Sequence, residues 1–208
     1  MISLPASKQT WQSVLLKCGC SPFIADRWSG SFAANIKPTT FSKGPVELLD
    51  FLPTILHESE MLTKMEESLY YSTPGRLMVV WPSRFKTLAS EVPYMRNPEK
   101  LANFVYGGRM GNTRPDSGWR YRGRGVIGLT GYDNYLQTGR KVGVDLAGNP
   151  DLAGLPEGAL PIAIAWWEGK VPDALIGDPV AIRQKVNGGT IGMDKVLRLV
   201  NVVKAALA

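Results

Sequence analysis

The segment VELLDFLPTILHESE, residues 46–60, constrains the fold more than any other part of the chain. Its apolar side chains would cover most of the circumference of a helix rather than one stripe. They are Leu48, Leu49, Phe51, Leu52, Ile55 and Leu56. A helix that is apolar on most sides has to be surrounded by other elements, so this segment predicts a central core helix. Pro53 removes one backbone donor and is expected to kink it.

Apolar residues at helical spacing mark six further segments of the chain. These are residues 8–18 and 22–36 before the central segment, and 131–143, 157–168, 178–186 and 194–207 after it. Turn-forming residues accumulate between Tyr71 and Gly125, which predicts a loop-rich region, with a small β-hairpin near Glu67 to Leu77. The predicted fold class is therefore mainly α.

The length of 208 residues is enough for one sizeable core, and two independent domains would each be small. We therefore predict a single domain over residues 1–208. With 44% hydrophobic and 20% charged residues, the composition is that of an ordinary globular protein. The first residues, MISLPASKQTWQ, lack a basic segment followed by an apolar one, so no secretory signal is expected.

The net charge of +6 indicates a polyanionic partner, which could be nucleic acid, a membrane surface or an anionic cell wall. The basic residues are scattered, apart from a cluster at Arg120, Arg122 and Arg124. There is no Lys/Arg-rich tail, which argues against nucleic acid. The basic and apolar segment 194–207 is expected to pack on the core, with a membrane-active helix as the alternative.

Two cysteines and one histidine limit the chemistry that the chain could perform. Cys18 and Cys20 are too close in sequence for an unstrained mutual disulfide, and the ligand set of a zinc hydrolase is missing. No metal or cofactor is predicted. A cysteine nucleophile activated by His57 remains an alternative, and it would make the chain a peptidase or amidase.

The stretch HESEMLTKMEESLYYS, residues 57–72, holds four glutamates, of which Glu58 and Glu67 are nine positions apart. On one continuous helix they would lie about 13 Å apart on opposite faces. If the helix ends between them and the chain folds back, they could face each other across a cleft. Inverting glycosidases hold their two carboxyls roughly 6.5 to 9.5 Å apart. The alternative is that these glutamates are solvated charges near a helix end.

The pattern around these glutamates resembles glycoside hydrolase family 19, the plant-type chitinases and their phage relatives. In the phage endolysin branch H-E-S is followed by E-N-L-N-Y-S, which matches residues 57–59 and 67–72. The resemblance continues through YGGRMGN (106–112), GWRYRGRGVIGLTGYDNY (118–135) and VNGGTIGMDK (186–195), in the family's order. It implies a lysozyme-like helical fold with a catalytic cleft between two lobes, and no separate wall-binding module.

By this resemblance Glu58 is the general acid, Glu67 is the general base that activates water, and Thr130 helps to hold that water. Asn134, Asn187 and Tyr71 match substrate-binding positions. Arg124 is expected either to bind anionic groups of the substrate or to pair with carboxylates. The glycines after Asn187 permit close approach of a ligand, although a plain tight turn is the alternative.

The chain departs from the family pattern at three positions. Gly128 stands where relatives commonly carry glutamine, and Ser68 and Tyr70 replace the usual asparagines. These changes put individual sugar contacts in doubt, rather than the acid–base pair.

The resemblance implies an endolysin that cuts β-1,4 bonds between N-acetylmuramic acid and N-acetylglucosamine in peptidoglycan by inversion, without metal or cofactor. A monomer is the default expectation for a hydrolase whose substrate is a mesh. Its partners would be glycan strands and an anionic wall or outer-membrane surface. It would accumulate in the host cytoplasm and reach the wall after the inner membrane is breached. The alternatives are a chitinase and a non-catalytic wall-binding protein.

Overall fold

A computed structural model describes residues 2–208 of the chain, and they are mainly helical, which confirms the predicted fold class. The helices are α1 (Lys8–Lys17), α2 (Pro22–Asn35), α3 (Leu48–Glu58), α4 (Arg76–Val80), α5 (Leu88–Glu91), α6 (Pro98–Tyr106), α7 (Ser117–Arg120), α8 (Tyr132–Val142), α9 (Pro156–Lys170), α10 (Pro179–Asn187) and α11 (Met193–Ala206). Short 3-10 helices lie at Gly44–Glu47, Val92–Tyr94, Pro150–Gly154 and Asp173–Leu175. No helix among these residues is long and apolar enough to cross a bilayer.

The prediction of a β-hairpin near Glu67 to Leu77 was wrong. Within residues 2–208 the extended pairing consists of two isolated antiparallel bridges, Glu66 with Arg124 and Arg124 with Leu129. Residues 67–72 are irregular, and a turn at 73–75, in which the Arg76 amide donates to the Thr73 carbonyl at 3.4 Å, leads into α4. Helix α4 therefore begins inside the segment where the hairpin was expected.

The chain divides into two compact units, and neither is continuous in sequence. Unit 1 comprises residues 2–65, Gly125–Ile127 and Leu152–Ala208. Unit 2 comprises Glu66–Arg124 and Gly128–Asp151. The single domain predicted from the length stays a prediction.

In unit 1, α3 is the central core helix that the sequence predicted. Leu48, Phe51, Leu52 and Leu56 are each fully buried, and α3 continues through Pro53 without interruption. Helix α11 packs against α3, while α2 packs against α1 and α9. The edge of the Trp167 ring meets Phe51, with centroids 5.5 Å apart, so α9 closes the core beside α3.

In unit 2, a smaller core is built from short helices. Its buried residues are Leu69, Leu77, Phe85, Leu101, Ala102 and Val105. Helix α6 packs directly on α7 because Gly118 has no side chain there. A Cβ at that position would lie 2.4 Å from the Ala102 carbonyl oxygen. The glycine thus permits the close backbone approach on which this core depends.

Candidate active site

Glu58 is the last residue of α3, in unit 1. Burial of the apolar faces of α3 fixes the helix axis, and the carboxylate therefore projects from the end of a rigid element. The Glu58 side chain is 29% exposed, so solvent reaches only part of it. A partly shielded carboxylate at a fixed helix end is suited to contact a bound molecule.

A guanidinium group holds the Glu58 carboxylate. Arg183, in α10, donates from Nη1 to Glu58 Oε1, and both its Nε and its Nη2 donate to the carbonyl of Ile191, at 3.1 and 2.8 Å. Only 6% of Arg183 is exposed. Because the Ile191 carbonyl holds the guanidinium in place, the guanidinium in turn restrains the direction in which Glu58 points.

His57 lies beside this pair, against Gly192 at the start of α11. A Cβ on Gly192 would lie 2.9 Å from His57 Nε2 and 3.9 Å from Arg183 Nη2. Burial and the nearby positive charge of Arg183 lower the pKa of His57. The imidazole is therefore a neutral neighbour of the Glu58–Arg183 pair at neutral pH.

Glu67 lies in unit 2, in irregular backbone rather than in a helix. Its Oε2 accepts a hydrogen bond of 2.7 Å from the Tyr106 hydroxyl, and its Oε1 accepts one from the Gly123 amide. The Glu67 amide donates to the Gly123 carbonyl at 3.0 Å. Two donors from distant parts of the chain thus orient this carboxylate.

Tyr106 is a suitable donor at every ordinary pH. Burial, followed by the hydrogen bond to Glu67, raises the pKa of its phenol far above the usual value. The hydroxyl therefore keeps its proton and continues to donate to Glu67.

Gly123 separates Glu67 from Thr130, which is also in unit 2. A Cβ on Gly123 would lie 3.1 Å from Glu67 Oε1 and 3.2 Å from Thr130 Oγ1. The carboxylate and the hydroxyl therefore both lie close to Gly123, which leaves little room for a side chain at this position. The Thr130 hydroxyl itself donates to the Gly128 carbonyl at 2.8 Å.

The remaining predicted contacts occupy exposed or half-buried positions. Asn134 is exposed in α8, and its amide donates to the Thr130 carbonyl at 2.7 Å. Tyr71 is half-buried, with its ring 5.6 Å from that of Trp81. Asn187 is exposed at the end of α10, where Gly188 adopts a left-handed conformation and stops the helix. The structure thus brings Asn134 next to Thr130 and leaves Asn187 in unit 1.

Arg124 is 2% exposed, which leaves almost no surface for a ligand. Its guanidinium pairs with Asp151 at 2.9 Å and with Glu66 at 3.5 Å, and donates to the Arg120 carbonyl at 2.7 Å. The expectation of direct substrate contact is corrected here: Arg124 pairs with carboxylates, which was the other expected role. Because Glu66 precedes Glu67, Arg124 helps to fix the backbone that carries the proposed base.

The cysteines do not resemble nucleophiles. Both are free and buried, and burial raises the pKa of Cys18 to about 12 and that of Cys20 to about 11. A thiol with so high a pKa is almost entirely protonated at neutral pH, whereas the thiolate is the reactive form. The alternative of a cysteine peptidase or amidase loses its chemical basis.

Sequence reasoning missed Arg183, Tyr106 and Gly123 as partners of the two glutamates. Arg183 contacts a residue 125 positions away, and Tyr106 one 39 positions away. No local spacing encodes such contacts. The only signal was that Tyr106 and Gly123 fall inside the resembling segments.

No family model matches the chain. A protein of Haemophilus influenzae described as a glycosyl hydrolase family 19 domain-containing protein is 33% identical over 157 residues, which cover 72% of this chain and 74% of that protein.

Solved structures match the fold. The class IV chitinase of family 19 from Zea mays has a TM-score of 0.58 and 16% identity, covering 97% of this chain and 92% of that one. Chitinase C from Streptomyces griseus HUT6037 has a TM-score of 0.54 and 17% identity, covering 99% and 93%. The molecule is thus a helical protein with the lysozyme-like fold found in chitinases. More narrowly, the chain belongs to glycosyl hydrolase family 19, a family of glycosidases.

Proposed function

We propose that the chain is an endolysin of phage type, which hydrolyses β-1,4 bonds between N-acetylmuramic acid and N-acetylglucosamine in peptidoglycan. The observation that carries the proposal is the arrangement around Gly123. There a carboxylate held by two donors and a hydroxyl both lie close to one glycine. A water bound by both groups could be deprotonated by Glu67 while Thr130 holds it, which is the task of a general base.

Glu58 would then act as the general acid that protonates the departing glycosidic oxygen. Attack by water on the opposite side of the sugar inverts the configuration of the anomeric carbon. In this proposal Arg183 positions Glu58, and Tyr106 positions Glu67. The exposed amides of Asn134 and Asn187 and the half-buried Tyr71 would contact sugar groups.

Peptidoglycan is preferred as the substrate for two reasons. The segments at residues 57–72 and 118–135 resemble the endolysin branch more closely than the plant enzymes, and the net charge of +6 favours an anionic wall or outer-membrane surface. We further propose that the protein is a monomer that accumulates in the host cytoplasm and acts once the inner membrane is breached.

A chitinase is the second candidate, because the solved structures with this fold are chitinases. The two substrates share β-1,4-linked N-acetylglucosamine, so the same acid–base pair could serve either. A non-catalytic wall-binding protein is the third candidate, for which Gly128 in place of the family glutamine is the only indication.

The deciding experiment is mass spectrometry of the soluble fragments released from purified Gram-negative peptidoglycan, before and after borohydride reduction. Hydrated fragments that end in reducible N-acetylmuramic acid are the expected result. Anhydro ends, free peptides or no release would contradict the proposal. Chitin oligosaccharides digested in parallel identify a chitinase, if they alone are cleaved.

A further inference from the structure

Unit 1 contains a recess between the end of α3 and α11, which is separate from the Glu58–Arg183 contact. We call it the α3–α11 groove. Its volume is about 680 Å³, within the range of sites that bind small molecules or short peptides. Met61 contributes apolar surface from the segment after α3, with the fully buried Leu56 behind it, and Leu199 and Val202 contribute apolar surface from α11.

The rim of the groove is positively charged. Lys195 and Arg198 line it from α11, both are exposed, and neither forms an ion pair with a carboxylate of residues 2–208. Glu60 is the one acidic residue in the lining, and Lys64 pairs with it at 3.2 Å. The groove therefore combines an apolar floor with two cations that form no ion pair within the described part of the chain. Such a surface fits a ligand with small apolar groups and carboxylates.

The groove lies next to the proposed general acid. His57 forms part of its wall and precedes Glu58 in the chain. The His57 ring and the Arg183 guanidinium both pack on Gly192, where a Cβ would lie 2.9 Å and 3.9 Å from their nitrogens. His57 thus connects the wall of the groove to Arg183, whose guanidinium holds the carboxylate that would protonate the glycosidic oxygen.

From this placement we infer that the α3–α11 groove binds the acidic peptide that peptidoglycan carries on N-acetylmuramic acid. The inference rests on the proposed function, since chitin has no such peptide. The peptide has alanine methyl groups for the floor and free carboxylates for Lys195 and Arg198. Binding it would place the attached sugar near Glu58, so that the groove selects peptidoglycan over plain glycan.

The test compares two soluble substrates. One consists of uncrosslinked peptidoglycan strands that carry their peptides, and the other consists of the same strands after an amidase has removed the peptides. For the double variant Lys195→Gln/Arg198→Gln, kcat/KM on peptide-bearing strands divided by kcat/KM on stripped strands is expected to fall about fivefold. Two exposed ion pairs supply an effect of this size. The conservative variant Lys195→Arg/Arg198→Lys should keep the wild-type ratio.

The matched control is Lys17→Gln/Lys204→Gln, which removes the same charge from exposed positions outside the groove and should leave the ratio unchanged. A ratio that stays constant in the groove variant, or an equal loss on both substrates, would overturn the inference while leaving the proposed function intact. Loss of binding to phosphatidylglycerol vesicles with a constant ratio would make the groove a lipid site instead. A wild-type protein that cleaves neither substrate would remove both the proposed function and the groove's role.

Discussion

Glu58 and Glu67 are held in opposite ways. Glu58 ends a buried helix, and one long side chain, Arg183, reaches its carboxylate from another helix. Glu67 lies in irregular backbone, and its carboxylate is held by the Gly123 amide and the Tyr106 hydroxyl. One carboxylate thus depends on a charged partner and the other on neutral donors. The difference implies that the two settings respond differently to mutation.

The largest effect should come from removing either carboxylate. Glu58→Gln and Glu67→Gln are each expected to lower kcat about 10³-fold, because a general acid or base typically contributes 10²- to 10⁴-fold. Steady-state hydrolysis of peptidoglycan strands measures this. Glu157→Gln in unit 1 and Glu99→Gln in unit 2 are exposed controls that should stay active. Wall binding that is unchanged in Glu58→Gln, together with no hydrolysis by either protein, would favour the non-catalytic candidate.

Arg183→Gln tests the charged setting of Glu58. We expect the free energy of unfolding to fall by about 2 kcal/mol, because the Ile191 carbonyl and the carboxylate lose their buried donor. Urea denaturation measures the loss, and kcat should fall with it because Glu58 is no longer oriented. Arg183→Lys keeps the charge but not the planar guanidinium that donates to both partners, so it should recover stability only in part. Full stability in Arg183→Gln would show that the ion pair does not hold unit 1.

Tyr106→Phe tests the neutral setting of Glu67. Removal of the hydroxyl should reduce kcat about tenfold, since a hydrogen bond to a charged group contributes roughly 1.5 kcal/mol or more. The KM should change little, because the phenol contacts the carboxylate rather than the exposed surface. Initial rates over a range of substrate concentrations separate the two constants. A change confined to KM would make Tyr106 a substrate contact instead.

Gly123→Ala tests the space between Glu67 and Thr130. The added methyl group would lie 3.1 Å and 3.2 Å from their oxygens, so we expect kcat to fall about fivefold as the carboxylate is displaced. Gly30→Ala, where a Cβ meets nothing within 4 Å, is the matched control and should retain activity. Equal rates for both variants would mean that the close packing of Gly123 against Glu67 and Thr130 does not affect the rate.

The smallest predicted effect is the pH dependence of stability that His57 gives to unit 1. Because the pKa of His57 is lowered on folding, the unfolded chain binds the proton more readily, and its contribution to stability is lost as pH falls below about 6.5. His57→Asn should therefore lose less stability than the wild type between pH 7 and pH 5. Melting temperatures at the two pH values measure the difference. Parallel pH curves for the two proteins would contradict it.

Much of the fold was predictable because long helices repeat their apolar residues. Helices α3 and α8 to α11 fall within a residue or two of the segments that the periodicity marked. Helix α6 was missed, although Asn97 caps it, Pro98 begins it and Leu101, Ala102 and Val105 form its buried face. Helices α4 and α5 are only 5 and 4 residues long, which is too short for periodicity to appear.

The candidate site was predictable only as far as resemblance reached. The glutamates and Thr130 lie in segments that match the family, whereas Arg183 becomes a partner of Glu58 only after α10 packs beside α3. Arg124 shows that resemblance can also suggest a wrong role. Its place in a matching segment suggested a substrate contact, but burial decides its role, and burial follows from tertiary packing.

The packing of α11 against α3 has a consequence for a chain that is still being translated. A ribosome makes the Glu58-bearing helix early and α11 late, and the Ser3 amide donates to the Leu207 carbonyl at 2.7 Å only in the finished unit. A nascent chain that stops before α10 and α11 would expose an apolar helix and lack Arg183. Exposed apolar helices are what chaperones and proteases recognise. Interrupted translation products should therefore be both inactive and short-lived.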